Sequence, residues 1–190
     1  DGESYGHHHR FGEMALAFCL EDIQKNGSAQ VTVYGEFLDR FPPGDEAEIF
    51  ENSSWSCVHG VERWRADCGC HSGGHPHWHQ QWRKPLRNAL DWLRDELAGI
   101  YEEKGKRFLK DVWAARNEYI DVVLNRDIQA RERFFKNNAS RDLNPAEKIT
   151  VLHLMEMQRN AMLMYTSCGW FFDEVSGIET TQIMQYAAKA

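Results

Sequence analysis

Acidic and imidazole side chains crowd the first nine residues, which read Asp1-Gly2-Glu3-Ser4-Tyr5-Gly6-His7-His8-His9. If residues 1–5 are extended, Asp1 and Glu3 point to the same face, because side chains alternate along a strand. Gly6 then allows a sharp turn toward the histidines. Carboxylates and imidazoles that converge at a strand end suit proton transfer and hydrogen bonding to a polar ligand. The alternative is a strand end whose charges are simply solvated.

A second concentration of reactive side chains occupies residues 57–79. It offers soft and borderline metal ligands, namely Cys57, Cys68, Cys70, His71, His75, His77 and His79. The spacing argues against a standard zinc pattern, because C-x-C is tighter than the usual spacing and no C-x-x-C is present. The candidate metal ligands, for zinc or iron, are Cys57, Cys68, Cys70 and His71. The alternative is a polar, aromatic loop over a cleft, in which indole faces stack on a ligand.

A third segment, Ser167-Cys168-Gly169-Trp170, ends a long apolar run and precedes two acidic residues. Gly169 has the residue type that often follows a helix C-terminus. Trp170, beside the acids, is a candidate for lining a pocket. The alternative is ordinary helix termination with core aromatics.

Helical periodicity dominates the elements that must position these groups. Apolar residues recur at helical spacing in five stretches beyond residue 81 (about 82–100, 108–124, 127–137, 145–165 and 178–189) and in residues 11–25. Asn144-Pro145-Ala146-Glu147 has the pattern of a capped helix start, and the helix it opens is expected to be central and buried. A short strand is predicted over residues 30–34. The sequence therefore predicts a mainly α fold, with about five helices after a short βα piece.

The overall composition excludes several classes of protein. The chain has 190 residues and a net charge of −7, which argues against a nucleic-acid partner. No apolar run approaches the roughly 20 residues that span a bilayer, so no membrane partner is expected. Five cysteines in a chain of this length do not make a disulfide scaffold. We therefore expect a reducing, cytoplasmic setting.

These segments together resemble a known family. The chain is similar to the C-terminal part of a glycoside hydrolase family 57-type protein, and more narrowly to the domain of unknown function 3536 that follows such a barrel in many bacterial proteins. Residues 1–7 resemble the family's D-x-E-x-[FY]-G-H motif. Ser54-Trp55 resembles its S-W loop, and residues 167–170 resemble its S-x-D-W stretch, with Gly169 in place of the aspartate. The chain would thus be part of a longer protein.

The resemblance implies retaining action on α-glucan-type oligo- or polysaccharide, with no cofactor. Retention uses two carboxyl groups about 5–5.5 Å apart. Asp1 would be the general acid/base, and the nucleophile would lie upstream. The substrate-binding residues implied are Glu3, His7, His8, Trp55, His59 and Trp170. An isolated 190-residue chain is then expected to be inactive, because half of the carboxyl pair is missing.

The domain organisation expected from this resemblance has three parts. Residues 1–43 would be the last βα piece of a catalytic barrel, residues 44–81 an active-site loop, and residues 82–190 a helical domain. Apolar surface is expected to be exposed on residues 11–40, where the upstream barrel would pack. Two other hypotheses stay open: a non-enzymatic helical module that binds a ligand or metal through residues 57–79, and a purely structural domain.

Overall fold

The structure is a computed structural model that describes residues 5, 9–54, 56–71 and 73–190. Its regular elements are helices, and no β-strand is present in these ranges, so the predicted mainly α fold is confirmed. The chain divides into two compact units between Phe50 and Glu51. Among the described residues, no helix is both long enough and apolar enough to cross a membrane.

The first unit contains α1 (Gly12–Asn26) and α2 (Tyr34–Arg40). The strand predicted over residues 30–34 is wrong, because residues 30–33 have no regular structure and α2 begins at Tyr34. A single strand has no ladder partner here, whereas local polar contacts favour the helix. Glu36 accepts a hydrogen bond from Thr32 at 2.6 Å and pairs with Arg40 at 2.5 Å.

Apolar side chains of the first unit are exposed, as predicted for residues 11–40. No described residue of this unit is buried. The exposed apolar side chains of the two helices and their flanks include Phe11, Met14, Phe18, Val33, Tyr34, Phe37 and Phe41. The described residues of this unit therefore form no hydrophobic core of their own.

The second unit begins with a segment of turns that contains one short 3-10 helix, Glu62–Trp64. The following helices are α3 (Arg83–Gly105), α4 (Val112–Glu118), α5 (Ile120–Leu124), α6 (Ile128–Asn138), α7 (Pro145–Leu163), α8 (Cys168–Phe171) and α9 (Ile178–Lys189). The number exceeds the predicted five because residues 108–124 form two short helices and residues 168–171 form another. The side chain of Asp111 caps the N-terminus of α4, which starts a new helix within the predicted run.

Two hydrophobic clusters hold the second unit together. One joins the C-terminal part of α3 to α4–α7 and includes Tyr101, Ala115, Phe134, Val151 and Met155. The other joins α3, α7, α8 and α9 and includes Leu90, Leu97, Ala161, Met164, Trp170 and Ile183. Because α7 contributes to both clusters, the prediction that this helix is buried is confirmed. Its predicted capping box is also present, between Asn144 and Glu147.

Candidate metal centre

Three thiols and one imidazole converge in the segment that precedes α3. The ligand atoms of Cys57, His59, Cys68 and Cys70 all lie within 4.8 Å of one another. The three cysteines are free thiols. Cys57 is buried, Cys68 and Cys70 are half-buried, and His59 lies at the exposed edge of the group. This arrangement brings together four groups that could hold one metal ion.

Four of the six distances between the ligand atoms are close to those of a tetrahedral site. The sulfur of Cys57 lies 3.9 Å from the sulfur of Cys68 and 3.9 Å from that of Cys70. Nδ1 of His59 lies 3.7 Å from the Cys57 sulfur and 3.4 Å from the Cys70 sulfur. Zinc–sulfur bonds of about 2.3 Å at tetrahedral angles place two sulfurs about 3.8 Å apart. The sulfurs are therefore spaced for a shared metal rather than for a disulfide of about 2.05 Å.

Local backbone geometry brings the first pair of ligands together. The hydroxyl of Ser54 accepts a hydrogen bond from the Cys57 backbone N–H at 3.1 Å and lies 3.0 Å from the Gly60 carbonyl. Gly60 has φ 70°, and a Cβ at this position would collide with the carbonyl oxygen of Asn52. Only glycine fits this tight turn, which places Cys57 and His59 on the same side.

The second pair of ligands is separated by Gly69, whose φ is 80°. The turn is further fixed by the Asp67 carboxylate, which accepts a hydrogen bond from the Gly69 N–H at 3.3 Å. A left-handed residue between Cys68 and Cys70 bends the chain, so that both sulfurs face Cys57. The unusually short C-x-C spacing is therefore compatible with shared ligation.

The environment of the cluster also changes thiol acidity. Burial acts to raise the pKa of Cys57, but hydrogen bonds from His59 and from the two other thiols lower it to about 7. Burial and the neighbouring thiols raise the pKa of Cys70. One thiol of the group thus loses its proton readily near neutral pH, and the thiolate is the form that binds metal.

Buried polar groups connect this cluster to the helices. The side-chain amide of Gln80, which is 2% exposed, donates hydrogen bonds to the Cys70 carbonyl and, at 2.8 Å, to the Asp173 carboxylate. Asp173 lies two residues after the end of α8. Gln80 therefore links the turn that carries Cys70 to the chain beside α8, a helix of the second hydrophobic cluster. Arg83 continues this contact, because its Nη2 donates to the Phe171 carbonyl at 2.7 Å.

The predicted ligand set is partly wrong. Cys57, Cys68 and Cys70 belong to the cluster, but His71 is exposed and is not part of it. Its place is taken by His59, which the resemblance assigned to substrate binding. His75, His77 and His79 are also exposed. The signal that could have found His59 is its position two residues after Cys57, a C-x-H pair that precedes the C-x-C pair.

The residues assigned to sugar binding and catalysis are mostly outside the described part of the chain. Asp1, Glu3, His7, His8 and Trp55 all lie there. Trp170 is described, but it is 0% exposed and stacks on Trp82 with ring centroids 6.2 Å apart. A fully buried indole offers no face to a sugar ring, so the assignment of Trp170 as a sugar platform is wrong for this structure.

The reason for the burial of Trp170 is the close packing of α8 on α9. The prediction that Gly169 caps the end of a helix is wrong, because Gly169 is a buried residue within α8. A Cβ at Gly169 would collide with the side chain of Ile183, and Thr180 donates a hydrogen bond to the Gly169 carbonyl at 2.8 Å. This close approach carries the neighbouring Trp170 into the core.

A cleft elsewhere on the surface is a weaker candidate for a ligand-binding site than the Cys/His cluster. It has a volume of about 530 Å³ and lies beside α6 and the start of α7. Two of its three cationic side chains are already paired, Lys148 with Glu132 at 3.0 Å and Arg141 with Glu147 at 2.8 Å. Neutralised charges on an exposed surface give a charged ligand little to bind.

Fold and site together define a helical domain preceded by a four-ligand Cys₃His cluster. Residues 78–190 match the family model described as Domain of unknown function (DUF3536), which is more than half of the chain. The chain belongs to this family. The cluster lies just before the matched residues. No curated protein and no solved structure matches the chain. The link to glycoside hydrolase family 57 stays a prediction.

Proposed function

We propose that this chain is a metal-binding helical module and that Cys57, His59, Cys68 and Cys70 form a structural zinc site. The observation that carries the proposal is the convergence of four ligand atoms within 4.8 Å. Thiolate and imidazole ligands in tetrahedral geometry select zinc, which prefers three or four such ligands. The proposal develops the hypothesis that residues 57–79 bind a metal.

The ligand count favours a structural role over a catalytic one. Structural zinc sites use four protein ligands, whereas catalytic sites leave one position open for water or substrate. Here three thiols and one imidazole would supply all four ligands of a tetrahedral ion. The partly buried setting of the cysteines also limits access to the ion.

A structural ion answers a physical need of the segment before α3. Residues 51–82 contain little regular structure, so hydrogen bonds of helices or strands cannot hold most of this backbone. A four-ligand metal site cross-links positions 57, 59, 68 and 70 and replaces the core that such a short segment cannot build. Through Gln80, the cross-linked turns are then joined to the residue after α8.

Elemental analysis of the purified full chain tests the proposal. We expect one zinc per chain after purification without chelators, and loss of that zinc in Cys68→Ser, because a serine hydroxyl does not replace a thiolate ligand. The matched control is Cys168→Ser, which changes an exposed cysteine outside the cluster and should leave the zinc content unchanged. Absence of zinc from reduced wild-type protein supplied with the metal would contradict the proposal.

The carbohydrate-active hypothesis stays a prediction about a longer protein that would contain this chain. The acid/base that this hypothesis proposes is Asp1, which lies outside the described residues. The hypothesis also requires an upstream barrel to which this chain would be joined. The family that the chain belongs to has no assigned function. The test compares α-glucan turnover by the full-length protein with turnover by its Asp1→Asn variant. We expect the folded variant to be inactive, and unchanged turnover would show that Asp1 is not the acid.

A further inference from the structure

Three charged side chains of the second unit are almost completely buried near the metal-ligand cluster. Arg83 is 0% exposed, Asp173 is 3% exposed and Arg63 is 5% exposed. Two of these charges are positive and one is negative, so one positive charge is in excess. An uncompensated buried charge is strongly destabilising, and this excess calls for a negative partner.

Arg83 has donors to spare for such a partner. Its Nη2 donates to the carbonyls of Phe171 at 2.7 Å and Phe172 at 3.0 Å. Its Nε and Nη1 are buried and have no hydrogen-bond partner among the described residues. Burial and the neighbouring Arg63 lower the pKa of Arg83, while Cys68, Asp173 and the exposed Asp67 act to raise it. The two backbone carbonyls accept hydrogen bonds from one nitrogen of the Arg83 guanidinium, but they do not neutralise its positive charge.

Arg63 reaches the same region from the ligand-bearing segment. Its Nη1 donates to the carbonyl of Ser56 at 3.3 Å, directly before the ligand Cys57. Its guanidinium also lies over the ring of Phe171, 4.3 Å from the centroid. Arg63 and Arg83 therefore both contact the end of α8, and Arg63 is also tied to the backbone of the residue before a metal ligand.

The charge of the metal centre supplies the missing partner. A divalent ion bound by three thiolates and a neutral imidazole carries one net negative charge. We propose that Arg63 and Arg83, offset by Asp173, supply the single net positive charge that balances the metal centre, and that Arg83 is a positioning residue for it. This inference rests on the proposed zinc site. It assigns these arginines to the metal rather than to packing alone.

Zinc affinities of the full chain, measured by competition with a chromophoric chelator, test the inference. We expect Arg83→Met to bind zinc about 10–100-fold more weakly, as is typical when a group around a metal site is lost. Asp173→Asn should bind zinc at least as tightly as wild type. This substitution removes a negative charge, while its amide oxygen still accepts the Gln80 hydrogen bond. The two substitutions thus act in opposite directions.

Two further variants separate charge from packing. Arg83→Lys keeps the charge but loses the planar fork, so we expect zinc affinity within about threefold of wild type if charge dominates. A packing role alone predicts equal losses for Arg83→Lys and Arg83→Met. Arg94→Met is the matched control, since Arg94 also lies on α3, is exposed and already pairs with Asp91 at 3.1 Å; its zinc affinity should stay within about twofold of wild type.

The outcomes are distinguishable. Wild-type zinc affinity in folded Arg83→Met, or a loss in Asp173→Asn as large as in Arg83→Met, would overturn the inference. If Arg83→Met does not fold, Arg83→Lys and Asp173→Asn carry the test, and a tenfold loss in both would overturn it. A wild-type chain that binds no zinc contradicts the proposed site itself.

Discussion

Chelation of the proposed zinc ion is expected to lower the free energy of unfolding of the second unit by about 4 kcal/mol. This is the stabilisation that a ligand provides when its free concentration is about 1,000 times its Kd and it binds only the folded state. For a unit of this size the loss corresponds to a fall in Tm of about 10 °C. Differential scanning calorimetry of the full chain, with and without a zinc chelator, measures it.

The change is expected to be concentrated in residues 51–82. None of the four ligands belongs to the cluster formed by α3 to α7, so those helices keep their packing when the metal leaves. Limited proteolysis should therefore open cleavage sites between Cys57 and His79, while the far-ultraviolet circular dichroism of the helices changes little. If chelation changes neither the Tm nor the cleavage pattern of zinc-loaded protein, the ion has no structural role.

A pair of histidine variants provides the matched control for this prediction. His59→Ala removes a ligand and should behave like the chelated protein, with a low Tm that zinc does not raise. His71→Ala alters an exposed imidazole next to Cys70 and should behave like wild type. The reverse order of the two Tm values would mean that the ligand set is wrong.

Trp170→Ala is expected to lower the free energy of unfolding by about 3–5 kcal/mol, the usual effect of truncating a buried large aromatic side chain. The indole is 0% exposed and packs in one cluster with Ile183 and Met164. Its Nε1 has no hydrogen-bond partner among the described residues. Trp170→Phe should therefore lower the free energy of unfolding by less than Trp170→Ala, because it removes volume without breaking a hydrogen bond.

Urea unfolding measures both variants, with Trp92→Ala as the control. Trp92 is 66% exposed on α3, and its truncation should change the free energy of unfolding by no more than about 0.5 kcal/mol. Equal effects of Trp170→Ala and Trp92→Ala would contradict the burial of Trp170. A sugar platform, by contrast, would alter ligand binding while leaving stability nearly unchanged.

The helices could be predicted well because their signals are local. The capping box joins Asn144 to Glu147, three residues apart, so its spacing in the sequence is also its distance in space. The buried face of α7 follows from helical periodicity in the same way. The strand over residues 30–34 was predicted wrongly, because a strand depends on a partner, and alternating valines do not reveal whether one is present.

The metal centre could be predicted only in part. The clustered thiols and imidazoles predicted the ligand types and their location in residues 57–79. The usual ligand spacing of zinc sites, however, argued against a site that contains C-x-C. The choice of His59 over His71 depends on the turn at Gly60, which places His59 Nδ1 3.4 Å from the sulfur of Cys70, eleven positions further along the chain. Neither the turn nor that distance is a property of neighbouring residues alone.

By itself, then, the sequence determined where the helices of the second unit lie, how α7 begins, and that residues 57–79 are rich in metal ligands. Only the tertiary structure decided which four side chains meet, that Trp170 is core rather than surface, and that Arg63, Arg83 and Asp173 are buried together near the ligands. The physical reason is range. Helix periodicity and capping act over three or four residues, whereas ligand convergence and charge burial depend on segments that packing brings together from distant parts of the chain.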